Sequence, residues 1–136
     1  MLLIMNEEKE KRLIEYWTLG SEDEWDYMET LFKAHKYVPA LFFLHLSIEK
    51  TLKAYYVKII HDYAPITHNL LLLAKNLDLK LSDEFENFLI DLYPYNLITR
   101  YPDDQKNLKK ICTKTLTSNF ILKGKEFKKW LLSRMK

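Results

Sequence analysis

YVPALFFLHLSIEKTLKAYYVKII, residues 37–60, is the stretch that decides the fold. Val38, Leu41, Phe42, His45, Ile48, Leu52 and Tyr56 recur at three- and four-residue spacings, the repeat of one helix face. Phe43, Leu44 and Leu46 make the opposite side apolar as well. Pro39 falls in the first turn, where its missing N–H would have no intrahelical partner anyway. A helix apolar almost all round lies in the middle of a protein, or serves a core and a partner at once. It therefore raises the expectation of a dimer. One polar line runs through it at i, i+4: His45, Glu49, Lys53. Glu49 ahead of Lys53 is the favourable order for a helical ion pair. If the line is buried, each group is costly unless paired. A buried polar network, a dimer-interface pair and a ligand cleft are all readings of it. Lys50 sits one position off, where it could snorkel or face a partner anion.

Outward from this helix the pattern stays helical. Residues 6–33 carry Leu13, Tyr16, Trp17, Trp25, Met28, Leu31 and Phe32 at helical spacings, which predicts an aromatic core stripe. Gly20-Ser21 interrupts it, and Ser21 with Glu24 reads as a capping box, so a break or kink is expected there. Residues 61–67 read as a loop, with Thr67 as the cap of a short helix over 68–76 that buries Leu70 to Leu73. His68 is expected to pack against, or bond to, the end of the preceding helix. Ser82 opens the next helix, with Asp83, Glu84 and Glu86 where the helix dipole favours negative charge. Pro94 should disturb its far end. After a break at residues 100–104, a last helix is expected to run to Met135 with a bend among the hydroxyl residues of 113–118. Gly124 is tolerated within it at about 1 kcal/mol relative to alanine. The sum is an all-α, up-and-down antiparallel bundle of four to six helices, a single domain over residues 1–136.

Composition agrees. The 136 residues are 48% hydrophobic and 29% charged, a globular balance that excludes a disordered chain. Only 2 Gly and 4 Pro are too few for the turns of a β-sandwich or barrel. Lys and Arg total 21 against 19 Asp and Glu, a net charge of +2, which argues against duplex DNA held by counterion release. The one cysteine, Cys112, has no intramolecular disulfide partner and fits a reducing compartment. Met1-Leu2-Leu3-Ile4-Met5 is too short and lacks the basic flank of a signal peptide, and no apolar run is long enough for a membrane span. A cytoplasmic location is the expectation.

The chemistry-bearing residues are few. Arg100, beside Tyr101-Pro102, could hold a carboxylate or phosphate bidentately, or fix the turn by pairing with Asp103, Asp104 or Glu49. His35, His45, His61 and His68 are scattered, and His45 with Glu49 lacks a third ligand, so no metal site and no cofactor is expected. Cys112 has no histidine near it in sequence to activate a nucleophile. There is no Gly-rich phosphate loop and no GxSxG elbow.

Three blocks together carry a resemblance. Residues 40–54, then Pro65-Ile66-Thr67-His68-Asn69-Leu70, then Arg100-Tyr101-Pro102-Asp103 resemble the central helix, the following turn and the RYPD signature of the HEPN family (higher eukaryotes and prokaryotes nucleotide-binding). Tyr16-Trp17 and the Trp25 helix fit that family's first helix. The resemblance implies an up-and-down helical bundle, usually a homodimer. It also implies either a metal-independent RNase, whose dimer cleft gathers an Arg and a His from an Arg-x4-6-His motif, or a subunit that binds a nucleotide or pairs with a nucleotidyltransferase as toxin and antitoxin. Arg100 matches the motif arginine. Gln105, Lys106 and Asn107 stand five, six and seven positions on, and none is the histidine that the 2′-hydroxyl chemistry requires.

Two functional readings follow, with a structural one beside them. The favoured one is a non-catalytic dimeric subunit that binds a nucleotide or a nucleotidyltransferase partner. Its alternative is an RNA endonuclease toxin using Arg100 in a dimer cleft, with His45 or Tyr101 sharing the acid–base work. The structural one makes Arg100 a clamp at a helix end. The cleft candidates are Arg100, Tyr101, Asp103, His45, Glu49, Lys50 and Lys53, and RNA or a nucleotide is the small partner either functional reading allows.

Overall fold

The central helix occupies the span its periodicity predicts. In a computed structural model, which describes residues 5–97 and 102–135 apart from the side chains of 102–105, it is α2, Tyr37–Ile60. Before it lies α1 (Glu7–Lys33), and after it α3 (Leu70–Asn76), α4 (Asp83–Leu92), a 3-10 turn (Tyr93–Leu97), α5 (Pro102–Ile111) and α6 (Lys114–Arg134). Among the described residues there is no strand.

The direction of each long helix follows from its partners. Glu10 meets His61, Lys53 lies over Trp17, Ser21 meets Ser47, and Tyr27 meets Phe43, so α1 and α2 run antiparallel. Phe85 meets Phe127 edge to face and packs on Trp130, while Tyr95 reaches Phe120, so α4 and its 3-10 extension run antiparallel to α6. Gly124 lies against Leu44 and Lys128 reaches Ser47, so α6 runs in the same direction as α2 and antiparallel to α1. The long helices therefore alternate up, down, up, down, and α6 packs directly against α2.

Burial explains the composition of α2. Leu41, Leu44, Ile48 and Leu52 are wholly buried. The helix packs on α1, α6, α3, the 3-10 turn and α5. Most of its apolar circumference is thus filled by its own chain, while Phe42, Phe43 and Leu46 stay half-buried and Ile59 and Ile60 exposed. At Gly124 α6 lies close against α2: a Cβ there would stand 2.9 Å from Leu44 Cδ1.

Several local expectations need correction. No break occurs at Gly20-Ser21, because Ser21 is not a cap: it is buried and bonded to α2. Tyr16 is 62% exposed, so it sits outside the core stripe and only edges onto Trp17. The cap of α3 is Asn69, which accepts from Leu72 N–H, while Thr67 accepts from Asn69 N–H and so prepares that cap. Leu70 and Leu73 are buried but Leu72 is exposed. The chain also leaves helix at Cys112-Thr113 instead of bending, because the Thr113 hydroxyl accepts from Leu116 N–H and starts α6 as a new helix. Pro102 begins α5, where a proline is well placed. Ser82 caps α4 as expected, and the ladder tightens to 3-10 one residue before Pro94.

Candidate functional site

Helix α2 points its i, i+4 line into a space closed by α1, the loop after α2 and the 3-10 turn. Glu49 is the hub. Its Oε1 accepts from His68 Nδ1 at 2.9 Å and its Oε2 from Lys53 Nζ at 3.2 Å. Lys53 Nζ also lies 5.1 Å from the centroid of the Trp17 ring, a cation–π contact on the wall supplied by α1. Glu49 and Lys53 are both buried, so the pairing is what makes their burial tolerable.

His45 is different. Its residue is 0% exposed, and neither ring nitrogen has a hydrogen-bond partner. Its Nδ1 is 3.8 Å from Glu49 Oε1, too far for a hydrogen bond, and its ring lies 6.2 Å from that of Tyr93. Burial pushes its pKa down to about 3, the charge of His68 and then that of Lys53 push the same way, and the His68 main chain opposes them. At neutral pH His45 is a neutral imidazole and a very weak base. Glu49 and His45 together therefore form no acid–base pair with access to a substrate.

Lys50 is not part of this cluster. It crosses Gly20, whose bare Cα leaves room for its Cδ, and pairs with Glu24 Oε1 on α1 at 2.5 Å. Burial raises the Glu24 pKa and Lys50 opposes that rise; Glu24 Oε2 has no partner. Arg100 and Tyr101 lie outside the described residues, and of Asp103 only the backbone, in α5, is described. The structure thus brings together His45, Glu49 and Lys53 and sends Lys50 elsewhere.

Two features were missed by sequence reasoning. His68 bonds to Glu49 in the middle of α2 rather than to the end of that helix. It supplies the neighbour that the His45–Glu49 pair lacked, yet no three His, Cys, Asp or Glu of the described residues are grouped to hold a metal. The second feature is a hydroxyl cluster on the other side of α2. Ser21 Oγ lies 3.0 Å from Ser47 Oγ and 2.7 Å from Thr51 Oγ1, and all three residues are buried. Lys128 of α6 donates to Ser47 Oγ at 3.1 Å. No sequence spacing announces this cluster, since its members come from three helices. Cys112 is buried beside Tyr95, and burial raises its thiol pKa, which keeps it a poor nucleophile. None of the described helices is long and apolar enough to cross a membrane.

Comparison with known proteins adds one finding. The family model described as HEPN domain matches residues 14–134. No curated protein and no solved structure matches the chain.

Proposed function

The chain belongs to the HEPN domain family, and we propose that within it this protein is a non-catalytic, dimeric binding subunit whose partner is a nucleotidyltransferase or a nucleotide, in the manner of a toxin–antitoxin pair. The observation that carries this reading is the state of His45. Cleavage of RNA through its 2′-hydroxyl needs a group that takes a proton near neutral pH and touches the substrate. The motif histidine is absent after Arg100, and His45, the residue on the central helix that could have replaced it, is sealed in the core with its pKa near 3. Glu49, the nearest carboxylate, already holds His68 and Lys53.

The exposed apolar residues at the far end of α2 support a partner-binding role. Ile59, Ile60, Tyr63 and Ile66 stay in solvent, and Ile66 is 104% exposed on its loop. These four fall within eight residues of the chain, and a contiguous apolar patch outside the core is the usual mark of a contact surface. The test is cleavage of a labelled RNA pool by the purified protein in excess chelator, beside Arg100→Ala. No cleavage by either, with a dimer in light scattering, is the expected result. Cleavage that vanishes in Arg100→Ala would replace this reading with the RNase one, and a clean monomer at micromolar concentration would remove the dimer from it.

A further inference from the structure

Lys128 is the one cation of α6 turned inward onto a buried polar group. Its Nζ donates to Ser47 Oγ at 3.1 Å and stands 4.7 Å from the centroid of the Trp25 ring. Ser47 Oγ spends its own proton on the Ser21 carbonyl at 2.9 Å, so towards Lys128 it acts only as an acceptor. Among the described residues no carboxylate lies within ion-pairing distance of Lys128. Lys128 also lines a groove of about 600 Å³ between α1 and α6, with Trp25 and Leu132 in its lining, Glu22 and Asp26 on the α1 side, and Lys125 and Lys129 on the α6 side. That volume falls in the range that takes a small organic molecule.

We propose that Lys128 is a reactive-amine site that takes a small planar aldehyde from this groove as an imine. The apolar and aromatic lining suits a planar body, and Lys125 and Lys129 suit an acidic substituent on it. The nitrogen lone pair attacks the carbonyl carbon and forms the C–N bond, while the π pair moves to oxygen, which takes a proton. Loss of water from that carbinolamine, with departure of the remaining nitrogen proton, leaves the neutral imine. No oxidant or reductant is consumed. Lysines desolvated in this way are the ones used for Schiff bases, because the neutral amine is the nucleophile.

The electrostatics support the geometry. Burial lowers the Lys128 pKa to about 8, against opposing pulls from Glu22 and Asp26 on α1. The other groups against it are Ser47 on α2 and the Trp25 ring on α1, and Lys125 and Lys129 share the groove lining. An ordinary lysine, at about 10.4, has on the order of a hundredfold less free amine at pH 7. Lower basicity weakens the nucleophile and offsets part of that gain, so a labelling advantage of roughly tenfold over surface lysines is the expected net effect.

Pyridoxal 5′-phosphate is the probe, with borohydride trapping of the imine and peptide mass spectrometry of the intact chain. The expected result at pH 7 is trapping at Lys128 about tenfold faster than at exposed Lys75 and Lys80, with a rate that levels off above pH 8. Lys128→Arg should lose the adduct while keeping its helical circular dichroism. Pyridoxal without the phosphate should show a smaller ratio of labelling at Lys128 to labelling at Lys75 if Lys125 and Lys129 hold the acidic group, and an unchanged ratio would overturn that part. Labelling no faster than at Lys75, or a Lys128 rate still climbing at pH 9.5 as surface lysines do, would overturn the site itself. The wild-type rate profile decides this even if Lys128→Arg fails to fold. Because the readout is a covalent adduct on α6, it does not depend on the role of Arg100.

Discussion

His45→Leu should stabilise this protein and flatten its response to acid. His45 is 0% exposed with both ring nitrogens unpaired, so its polar atoms were stripped of water without return. A buried group left unsatisfied costs about 1–3 kcal/mol, and a leucine of similar size removes that cost. The pH dependence is a separate quantity. The folded pKa is about 3, while an unfolded histidine titrates near 6.5. The unfolded chain therefore binds a proton that the folded chain refuses. Stability is complete above pH 6.5 and falls as the pH drops toward 3, by about 1.4 kcal/mol per pH unit once well below 6.5. Between pH 7.5 and 5 the wild type should lose about 2 kcal/mol through this group alone, and His45→Leu should not. Urea unfolding at half-unit pH intervals measures both curves. Any packing cost of leucine is the same at every pH, so the widening of the gap on acidification isolates the titration. Wild-type and variant curves that run parallel from pH 7.5 to 5 would refute the argument, because they would mean that His45 protonates as easily in the fold as out of it.

Gly124→Ala should destabilise the bundle despite a helix-propensity gain of about 1 kcal/mol. The new Cβ would press on Leu44 Cδ1, a wholly buried atom at 2.9 Å, and overpacking of that kind costs about 1–3 kcal/mol, so a thermal melt should show a lower midpoint. Lys50→Met should remove the charge partner of the Glu24 carboxylate, and urea unfolding at pH 7 should register a loss of about 1–3 kcal/mol. Since burial already raises the Glu24 pKa, that loss should shrink as the pH is lowered and the carboxyl becomes neutral, and a loss that grows on acidification would count against it.

The parts of the fold that were legible in the sequence depend on neighbours close along the chain. The ends of α2, the Ser82 cap and the effect of Pro94 follow from contacts within a few residues. The misreadings have the opposite origin. Ser21 and Glu24 look like a capping box because that pattern is local, yet their partners Ser47, Thr51 and Lys50 stand 26 to 30 residues away. The Thr113 cap was within reach, since a threonine three residues before the Leu116 stripe is a helix start, but the hydroxyl run around it read as a bend. In the candidate site, the polar line of α2 was visible and its state was not. Whether Glu49 is saturated or free depends on His68, 19 residues on, and Lys128 meets Ser47 across 81 positions.

The polar groups of the interior also do something the apolar ones cannot. Leucines and aromatics along α1 and α2 would still find apolar neighbours if the two helices slid past each other by one turn. The hydroxyls of Ser21, Ser47 and Thr51, and the pairs Glu24–Lys50 and Lys53–Trp17, would not. Such a slide would leave several buried polar groups unpaired at about 1–3 kcal/mol each, which is comparable to the whole stability of a domain this size. The polar contacts therefore select the register, while the apolar ones supply the driving force. That register sets which α2 residues face α1, and so where Ser47 waits for Lys128 and where Trp17 covers Lys53. His45 is the exception in this scheme, since neither of its ring nitrogens has a hydrogen-bond partner. Its removal should for that reason leave the register intact, which separates it from every other polar residue on the inner faces of α2.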